Sequence, residues 1–357
     1  MKKVEVFLKN ILLKVLLIVS ARKSGKTEEK LNNFKSILFI RLNRIGDALV
    51  STPLLHLVKE NIGCRIFLLA DKKNYFAFNN NPDIDKLVIF KKGFMGIYEV
   101  LKMIRENNID TVVDLHDDVS TTVSFIVALS SATNKFALKK ENELIYTKTI
   151  ERPDRSKVHV VDRLLQLGKL FNLNFGGKQI RICYYPKIKS FEMADNFLKN
   201  RFDPNNFIVG INISAGSRAR FWGTNNYRQL INFLSNYDLS YLLLAKPEDI
   251  SLARQIIDEE RFIFTSDFDN FCALISRLNF LFTPDTSTVH IAAVFNIPVF
   301  GIYVNYDTDE MIWTPYNTTY EAVITKEPTL HNIAFNEIEN KLKPFIERIL
   351  KSYAKKT

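Results

Sequence analysis

Residues 279–303 read NFLFTPDTSTVHIAAVFNIPVFGIY, and this stretch decides the fold class. An apolar run over 280–282 stops at Pro284, a polar cluster follows at 285–288, and a small-residue helix leads to a second apolar run over 298–303. The order predicts strand, turn, helix and strand, which places the start of the helix at the carboxyl edge of a parallel sheet. The free N–H groups of the first helical turn and the helix dipole favour an anionic ligand there.

The same alternation of strands and helices runs through both halves of the chain, with a break at 184–186. Strands are predicted at 36–41, 65–70, 87–90, 111–115, 207–214, 241–245, 262–265, 280–283, 299–303 and 322–325. Helices are predicted near 52–61, 74–79, 94–107, 119–130, 158–171, 189–200 and 335–353. Alternation of this kind predicts two doubly wound parallel α/β domains in tandem.

The predicted division has four parts. A basic amphipathic helix and linker occupy 1–34, an N-terminal Rossmann-like domain 35–186, and a C-terminal Rossmann-like domain 187–335. A terminal helix over 336–357 is expected to pack back on the N-terminal domain.

Composition and charge restrict the partners. With 46% hydrophobic and 25% charged residues over 357 positions, the chain is ordinary for a soluble globular protein. Of its net charge of +10, residues 1–35 carry +6, from nine Lys/Arg against three Glu, so the remainder is only mildly basic. This argues against nucleic acid as a partner. The three cysteines are far apart in apolar contexts and are read as buried thiols in a reducing compartment.

Residues 1–30 combine lysines with apolar residues at helical spacing. The uncharged run over 15–21 is too short for the roughly 20 residues that span a bilayer. An interfacial helix on the inner membrane surface, a helix that packs on the fold, and a secretory signal stay open as interpretations.

Two further loops follow predicted strands. In the first, RLNRIGDALVSTPLL at 41–55, either Asp47 or Thr52 could cap the next helix, the latter with Pro53 at the first helical position. Asp47 is thus either a cap or a carboxylate that accepts a proton at a site. With one glycine, the loop lacks the dinucleotide fingerprint. The second loop, at 211–222, reads INISAGSRARFW and is either a phosphate-binding turn served by Arg218 and Arg220 or a solvated basic loop.

Together, the blocks at 41–54, 214–222 and 285–298 resemble the lipopolysaccharide heptosyltransferases, family 9 of the glycosyltransferases, over about residues 36–350. The resemblance implies the GT-B architecture, two Rossmann-like domains that face each other across a cleft. It also implies metal-independent, inverting transfer of a sugar from a nucleotide diphosphate to a lipid-linked saccharide, without a cofactor. The resemblance implies that heptose is the transferred sugar, ADP-heptose its donor and the lipopolysaccharide core its acceptor. The enzyme is expected in the cytoplasm, peripheral on the inner face of the cytoplasmic membrane.

By position, Asp47 matches the family's general base, and Arg220 stands where a lysine is common and would offset charge on the departing diphosphate. Donor binding is assigned by the resemblance to Asn212, Gly216, Ser217, Glu248, Asp285, Thr286, Ser287, Thr288 and His290. Acceptor binding is assigned to Arg44, Asp114 and His116, with a structural role as the alternative for His116.

Some features leave alternatives open. Ser287 replaces a glycine that is common in the donor turn, so a different nucleotide sugar is an alternative donor. A sugar-nucleotide epimerase or hydrolase and a non-catalytic saccharide-binding protein are the other functional alternatives. Three Asp-x-Asp pairs, at 83–85, 267–269 and 307–309, have the letters of a metal site but lie in polar turns, and no metal is expected.

Overall fold

The computed structural model describes residues 34–175, 179–259 and 262–355. The chain divides into two compact units. The first runs to Asp154 and resumes over Val160–Gln179, and the second comprises Arg155–His159 and the chain from Ile180 onward. The predicted helix over 1–34 lies outside the described residues except for Phe34.

The first unit is built on a six-stranded parallel sheet in the order β3-β2-β1-β4-β5-β6. Its strands are β1 Ser36–Arg41, β2 Arg65–Asp71, β3 Lys86–Phe90, β4 Thr111–Asp114, β5 Asn134–Leu138 and β6 Lys148–Ile150. All six residues of β1 are buried, as expected for a central strand covered on both faces. The order reverses between β1 and β4, and this is where doubly wound folds place their ligands.

Helices and short 3₁₀ turns connect these strands. The helices are α1 Ile45–Ile62, α2 Phe94–Glu106, α3 Thr121–Leu129 and α4 Val160–Leu165. The 3₁₀ turns are Tyr75–Phe78, Glu143–Ile145 and Gln166–Phe171.

The second unit repeats the architecture in the order β12-β11-β10-β7-β8-β9, which reverses between β7 and β10. Its strands are β7 Ile208–Asn212, β8 Ser240–Leu244, β9 Ile263–Phe264, β10 Phe280–Pro284, β11 Val299–Val304 and β12 Tyr320–Thr325. Its helices are α5 Ile188–Lys199, α6 Thr224–Leu234, α7 Ile250–Ile256, α8 Phe268–Ile275, α9 Ser287–Val294 and α10 Phe335–Ala354. The 3₁₀ turns are Arg218–Arg220, Pro247–Asp249 and Leu330–Asn332. Two doubly wound parallel sheets confirm the predicted fold class.

The terminal helix α10 belongs to the second unit. Its buried residues Ile338, Leu342, Phe345 and Ile346 share one hydrophobic core with residues of β7, β10 and β11. Its apolar stripe packs on the second sheet, and the expectation that the end of the chain packs back on the N-terminal domain stays a prediction.

Helix α1 begins at Ile45, well before the predicted start near 52, so Thr52 and Pro53 lie inside it. Proline has no N–H to give to the carbonyl four residues earlier, which is that of Leu49. The Thr52 hydroxyl donates to this carbonyl at 2.7 Å and so satisfies it. Thr52 therefore supports the helix interior and is not a cap.

Two strands, β5 and β6, were absent from the prediction. No helix among the described residues is both long enough and apolar enough to cross a membrane. Cys64 and Cys272 are buried as predicted, whereas Cys183 is half-buried.

Candidate functional site

Asp47 lies in the first turn of α1, directly after the central strand β1. Its Oδ1 accepts hydrogen bonds from Arg41 Nη2 at 3.1 Å and from Asn43 Nδ2 at 3.3 Å. Its Oδ2 receives the Arg44 backbone N–H at 3.3 Å, a capping contact. The side chain is 15% exposed. Asp47 is thus a cap, as one interpretation held, and its assignment as the general base stays a prediction.

Arg41 holds the Asp47 carboxylate in place from inside the protein. It ends β1 and is 2% exposed, and its Nε donates to the Asp47 carbonyl at 3.0 Å. Its Nη1 donates to the carbonyl of Leu115, just beyond the neighbouring strand β4. A buried guanidinium is tolerated when its donors are matched in this way. Arg41 therefore joins the ends of β1 and β4 and orients Asp47.

His116 fixes the loop between β1 and Asp47. Its Nε2 accepts the backbone N–H of Leu42 at 3.1 Å, and its Nδ1 lies 2.7 Å from Asp114 Oδ1. These partners assign the proton to Nδ1, because Nε2 must be the acceptor. Both nitrogens are engaged within the protein and the ring is 3% exposed, which favours the structural alternative; the assignment of His116 to the acceptor stays a prediction.

Asp114 is the centre of a buried polar cluster in the first unit. It is 1% exposed and accepts Lys140 Nζ at 2.7 Å and the Tyr146 hydroxyl at 2.6 Å, besides the His116 ring. Burial alone would raise the pKa of this carboxyl, but the Lys140 ammonium, followed by His116, holds that pKa well below its usual range. The groups that contact Asp114 are thus the protein's own, and its assignment to the acceptor, like that of the exposed Arg44, stays a prediction.

The sequence did not single out Arg41, Lys140 or Tyr146. Lys140 also donates to the His116 carbonyl at 2.8 Å, which closes the cluster. The signal available was a charged residue at the carboxyl end of an apolar strand, as in SILFIR at 36–41. Such a residue is at the edge where ligands and loops meet.

In the second unit, Asn212 connects the two candidate donor loops. It ends β7 and is 1% exposed, and its Nδ2 lies within 3.3 Å of the hydroxyls of Thr283, Thr286 and Thr288. Its Oδ1 accepts the backbone N–H of Ser214 at 3.1 Å. Asn212 therefore holds the 213–217 loop against the 285–288 turn from inside the protein, and its assignment to donor binding stays a prediction.

The polar turn after β10 caps helix α9. Thr286 is the N-cap, and its hydroxyl accepts the backbone N–H of Thr288 at 3.3 Å. Thr288 is buried, while Asp285, Thr286 and Ser287 are half-buried at the start of the helix. The turn thus has the strand, polar turn and helix order predicted from the sequence, with N–H groups at a helix N-terminus.

Arg220 and Asp285 form an ion pair between the two loops. Arg220 Nη2 lies 3.0 Å from Asp285 Oδ2, and Nη1 donates to the Asp285 carbonyl at 3.4 Å. The two side chains are 34% and 23% exposed. The structure thus brings together a cation, a carboxylate and a helix N-terminus at one sheet edge.

The remaining predicted donor residues lie around this centre. The Lys246 backbone N–H donates to the Ser214 hydroxyl at 2.8 Å, which ties the segment bearing the exposed Glu248 to the same loop. Gly216 and Ser217 are exposed, and a Cβ on Gly216 would meet no neighbouring atom. The internal packing of the unit therefore does not require glycine at 216.

His290 lies inside the second unit behind the turn. It is 3% exposed, its ring packs 6.0 Å from that of Trp313, and its Nδ1 has no hydrogen-bond partner among the described residues. Burial, and secondarily the charge of His159, lower the pKa of His290 to about 3. The ring is neutral near pH 7 and brings no positive charge to a phosphate.

Two of the three Asp-x-Asp pairs have protein partners, and the third is exposed. Asp83 pairs with His56 at 3.1 Å, and Asp85 pairs with Lys59 at 2.7 Å. Asp267 caps α8, and Asp269 accepts two hydroxyls at 2.6 Å, while Asp307 and Asp309 are exposed. Across 34–175, 179–259 and 262–355, no three His, Cys, Asp or Glu side chains are placed to share a metal ion.

Comparison with known proteins identifies the family. The model of glycosyltransferase family 9 (heptosyltransferase) matches residues 97–343, more than half of the chain. The lipopolysaccharide core heptosyltransferase OpsX of Haemophilus influenzae is 19% identical over 306 residues, which cover 82% of this chain and 85% of that protein.

Two solved structures share the fold across nearly their whole length. A family 9 glycosyl transferase from Veillonella parvula has a TM-score of 0.75 at 17% identity, with 90% of this chain and 99% of that chain covered. The Escherichia coli heptosyltransferase WaaC, solved with ADP, has a TM-score of 0.68 at 16% identity, with 88% and 99% covered. The resemblance seen in the sequence is confirmed: this chain belongs to glycosyltransferase family 9, the heptosyltransferase family, and is a glycosyltransferase.

Proposed function

We propose that this chain transfers heptose from ADP-heptose to the core saccharide of a lipopolysaccharide. The observation that carries the proposal is the cluster of Arg220, Asp285 and the start of α9 at the carboxyl edge of the second sheet. A nucleotide diphosphate sugar needs a cation and N–H donors for its phosphates and a carboxylate for its sugar hydroxyls. Family membership, the named activity of OpsX and the ADP bound to WaaC support this choice of donor and acceptor.

In the proposed reaction, the Asp47 carboxylate takes the proton from an acceptor hydroxyl. As the proton leaves, the oxygen of that hydroxyl forms a bond to the anomeric carbon of the donor. The bond from that carbon to the diphosphate oxygen breaks, and its electron pair leaves with ADP. Attack opposite the leaving group inverts the anomeric configuration. Arg41, which contacts Asp47 at 3.1 Å, keeps the base oriented.

The donor-side residues stabilise the leaving group in this proposal. The N–H group at Ser287, the dipole of helix α9 and the guanidinium of Arg220 are proposed to face the charge that develops on ADP. Arg220 pairs with Asp285 in the ligand-free structure, so binding requires it to exchange at least part of that contact for phosphate oxygens. Asp285 is then available to the sugar hydroxyls. Glu248 is proposed to contact the nucleotide, and Arg44 the acceptor.

The proposed location is the cytoplasm, with the enzyme held at the inner face of the cytoplasmic membrane where a lipid-linked acceptor lies. The segment 1–34, where the sequence predicts a basic amphipathic helix, is proposed to contribute to this association through its lysines and apolar residues.

Transfer and ADP release from ADP-heptose, with and without a heptose-free core acceptor, test the proposal. Wild-type protein should form the glycosylated acceptor and release ADP in step. Asp47→Asn should lower the transfer rate roughly 10²- to 10⁴-fold, as expected for loss of a general base.

The matched control is Asp83→Asn, since Asp83 is also an aspartate of the first unit with a basic partner, His56 at 3.1 Å, and its side chain is 11% exposed. It should transfer at nearly the wild-type rate. Wild-type turnover in Asp47→Asn would remove the base assignment. ADP release that does not depend on acceptor would favour a hydrolase, and binding of ADP-heptose with no release would favour a saccharide-binding protein.

A further inference from the structure

Three large apolar side chains of helix α2 lie in solvent. Phe94 is 82% exposed, Met95 68% and Tyr98 59%. At 3.6 residues per turn they fall on the side of α2 opposite its buried stripe of Gly96, Val100 and Ile104. Single exposed apolar residues are common on soluble proteins, but a group within one helical turn marks an interaction surface.

Positive charge surrounds this apolar group. Lys91 and Lys92 precede the helix with side chains 73% and 75% exposed, and Lys102 and Arg105 continue the same side of it. Residues 86–106 hold five Lys/Arg against two Glu, a net charge of +3. Both glutamates lie on the flank of the helix and pair with lysines, Glu99 with Lys91 at 3.1 Å and Glu106 with Lys102 at 3.6 Å.

The turn before α2 is held in a fixed shape. Gly93 has φ +96°, a backbone conformation that side chains rarely adopt. A Cβ on Gly96 would overlap the carbonyl of Lys91, so the lysine pair folds directly against the first turn of the helix. We call Lys91, Lys92, Phe94, Met95 and Tyr98 the α2 patch. It directly follows β3, an edge strand of the first sheet, in the chain.

We propose that the α2 patch is a membrane-docking surface that binds an anionic phospholipid bilayer. Its apolar side chains would enter the boundary between head groups and acyl chains, where a tyrosine ring is favourable, and its lysines would meet lipid phosphates. An apolar centre with a basic rim is complementary to such a bilayer. The residues of the α2 patch lie outside the 1–34 segment of the sequence. It relates to the proposed function in that a lipid-linked acceptor lies at a membrane, but docking itself needs neither donor nor acceptor.

Sedimentation of the full chain with phospholipid vesicles tests this proposal. Wild-type protein should bind vesicles of mixed phosphatidylcholine and phosphatidylglycerol more tightly than vesicles of phosphatidylcholine alone. The triple variant Phe94→Ser, Met95→Ser and Tyr98→Ser should bind the mixed vesicles about tenfold more weakly or worse. Its thermal stability should match the wild type, because these side chains are exposed. The control is Ile188→Ser with Ile324→Ser, two exposed apolar residues of the second unit, and it should bind like the wild type.

A second pair of variants tests the charges. Lys92→Gln with Lys102→Gln should weaken binding to the mixed vesicles about fivefold or more. Lys139→Gln with Lys148→Gln removes the same charge near β6, at the other edge of the sheet, and should have a much smaller effect.

Several results would overturn the proposal. The first is a triple variant that binds the mixed vesicles as tightly as the wild type does. The second is an equal loss of vesicle binding in the patch variants and in their controls. The third is wild-type binding that is equally tight with and without phosphatidylglycerol. A wild-type dimer that the triple variant converts to a monomer, with vesicle binding unchanged, would instead assign the patch to a second copy of the chain. Transfer to a soluble acceptor without lipid should be unaffected in the triple variant. Failure of the wild type in that assay would refute the proposed function and leave the docking result standing.

Discussion

Replacing Lys140 with methionine should destabilise the first unit by about 3–5 kcal/mol, because it leaves a buried carboxylate without its cation. Lys140 Nζ lies 2.7 Å from Asp114 Oδ2, and the two side chains are 0% and 1% exposed. The substitution also removes the hydrogen bond to the His116 carbonyl. Methionine has a similar length, so lost packing contributes little.

The neighbouring lysine supplies a matched control. Lys139 Nζ lies 2.7 Å from Glu151 Oε1, the same distance, but these side chains are 47% and 79% exposed. Water screens that pair, so Lys139→Met should leave stability almost unchanged. The comparison isolates burial, since the two lysines are adjacent in sequence and equally close to a carboxylate.

The effect of Lys140→Met should also depend on pH. In the wild type the pKa of Asp114 is below its ordinary value, so its contribution to stability is present above about pH 4 and is lost as the pH falls further. Without Lys140, burial is opposed by less positive charge and the pKa of Asp114 rises. The folded variant then takes up a proton more readily, and its deficit against the wild type should shrink as the pH is lowered from 7 towards 4.

Urea unfolding followed by far-UV circular dichroism measures the change. Both tryptophans, Trp222 and Trp313, lie in the second unit, so their fluorescence monitors that unit separately. Hydrogen exchange at the Leu42 amide, which donates to His116, reports the cluster directly. Equal stability of the Lys139 and Lys140 variants, or a Lys140→Met deficit that grows on acidification, would refute the reasoning.

Three further results are expected. Asn212→Ala should lower stability by about 1–3 kcal/mol, because it removes the hydrogen bonds of the buried Asn212 side chain with the Thr283 and Thr288 hydroxyls and the Ser214 N–H, and should raise the KM for the donor more than it lowers kcat; steady-state kinetics with unchanged KM would contradict this. Arg220→Lys keeps the charge and should retain most of the transfer rate, whereas Arg220→Met should lose about 10²-fold in kcat; equal rates for both variants would show that charge is not what matters. Transfer measured with excess EDTA should match the untreated rate, and a strict need for a divalent cation would contradict the predicted metal-independent mechanism.

The central strands and the donor turn could be predicted because their sequences are distinctive. Strands β1, β7 and β10 are buried throughout. Because they are buried on both faces, their sequences are mainly apolar runs that end in polar or charged residues or at a proline. Strands β5 and β6 were missed for the opposite reason. β5 reads NKFAL and mixes polar with apolar residues, while β6 has three residues, none of them buried, at the edge of its sheet.

The start of α1 was missed because Gly46 and Pro53 are typical of helix boundaries. Proline is tolerated at 53 because the hydroxyl of the preceding threonine satisfies the carbonyl that proline leaves without a donor. That compensation depends on a rotamer, which the sequence does not specify. The predicted cap at Asp47 was right in kind, but it serves a helix that begins at Ile45.

The buried charges could not be found from periodicity. Arg41 and Lys140 belong to residue types that are almost always exposed, and Lys140 meets Asp114 across 26 positions of sequence. Their partners become evident once β1, β4 and β5 are known to be neighbours, since these strands bring the residues to one edge.

In both units, a buried side chain satisfies a backbone N–H group in a loop at the point where the strand order reverses. There the loops after adjacent strands diverge, and backbone N–H groups lose the regular partners of sheet and helix. In the first unit His116 Nε2 accepts the N–H of Leu42, and in the second Asn212 Oδ1 accepts that of Ser214. Each residue is almost fully buried, and its hydrogen bonds offset the free-energy cost of its desolvation. The same hydrogen bonds fix the loop that bears a candidate functional group. The physical role inferred for both is therefore positioning, and their replacement should change the geometry of Asp47 or of the donor turn.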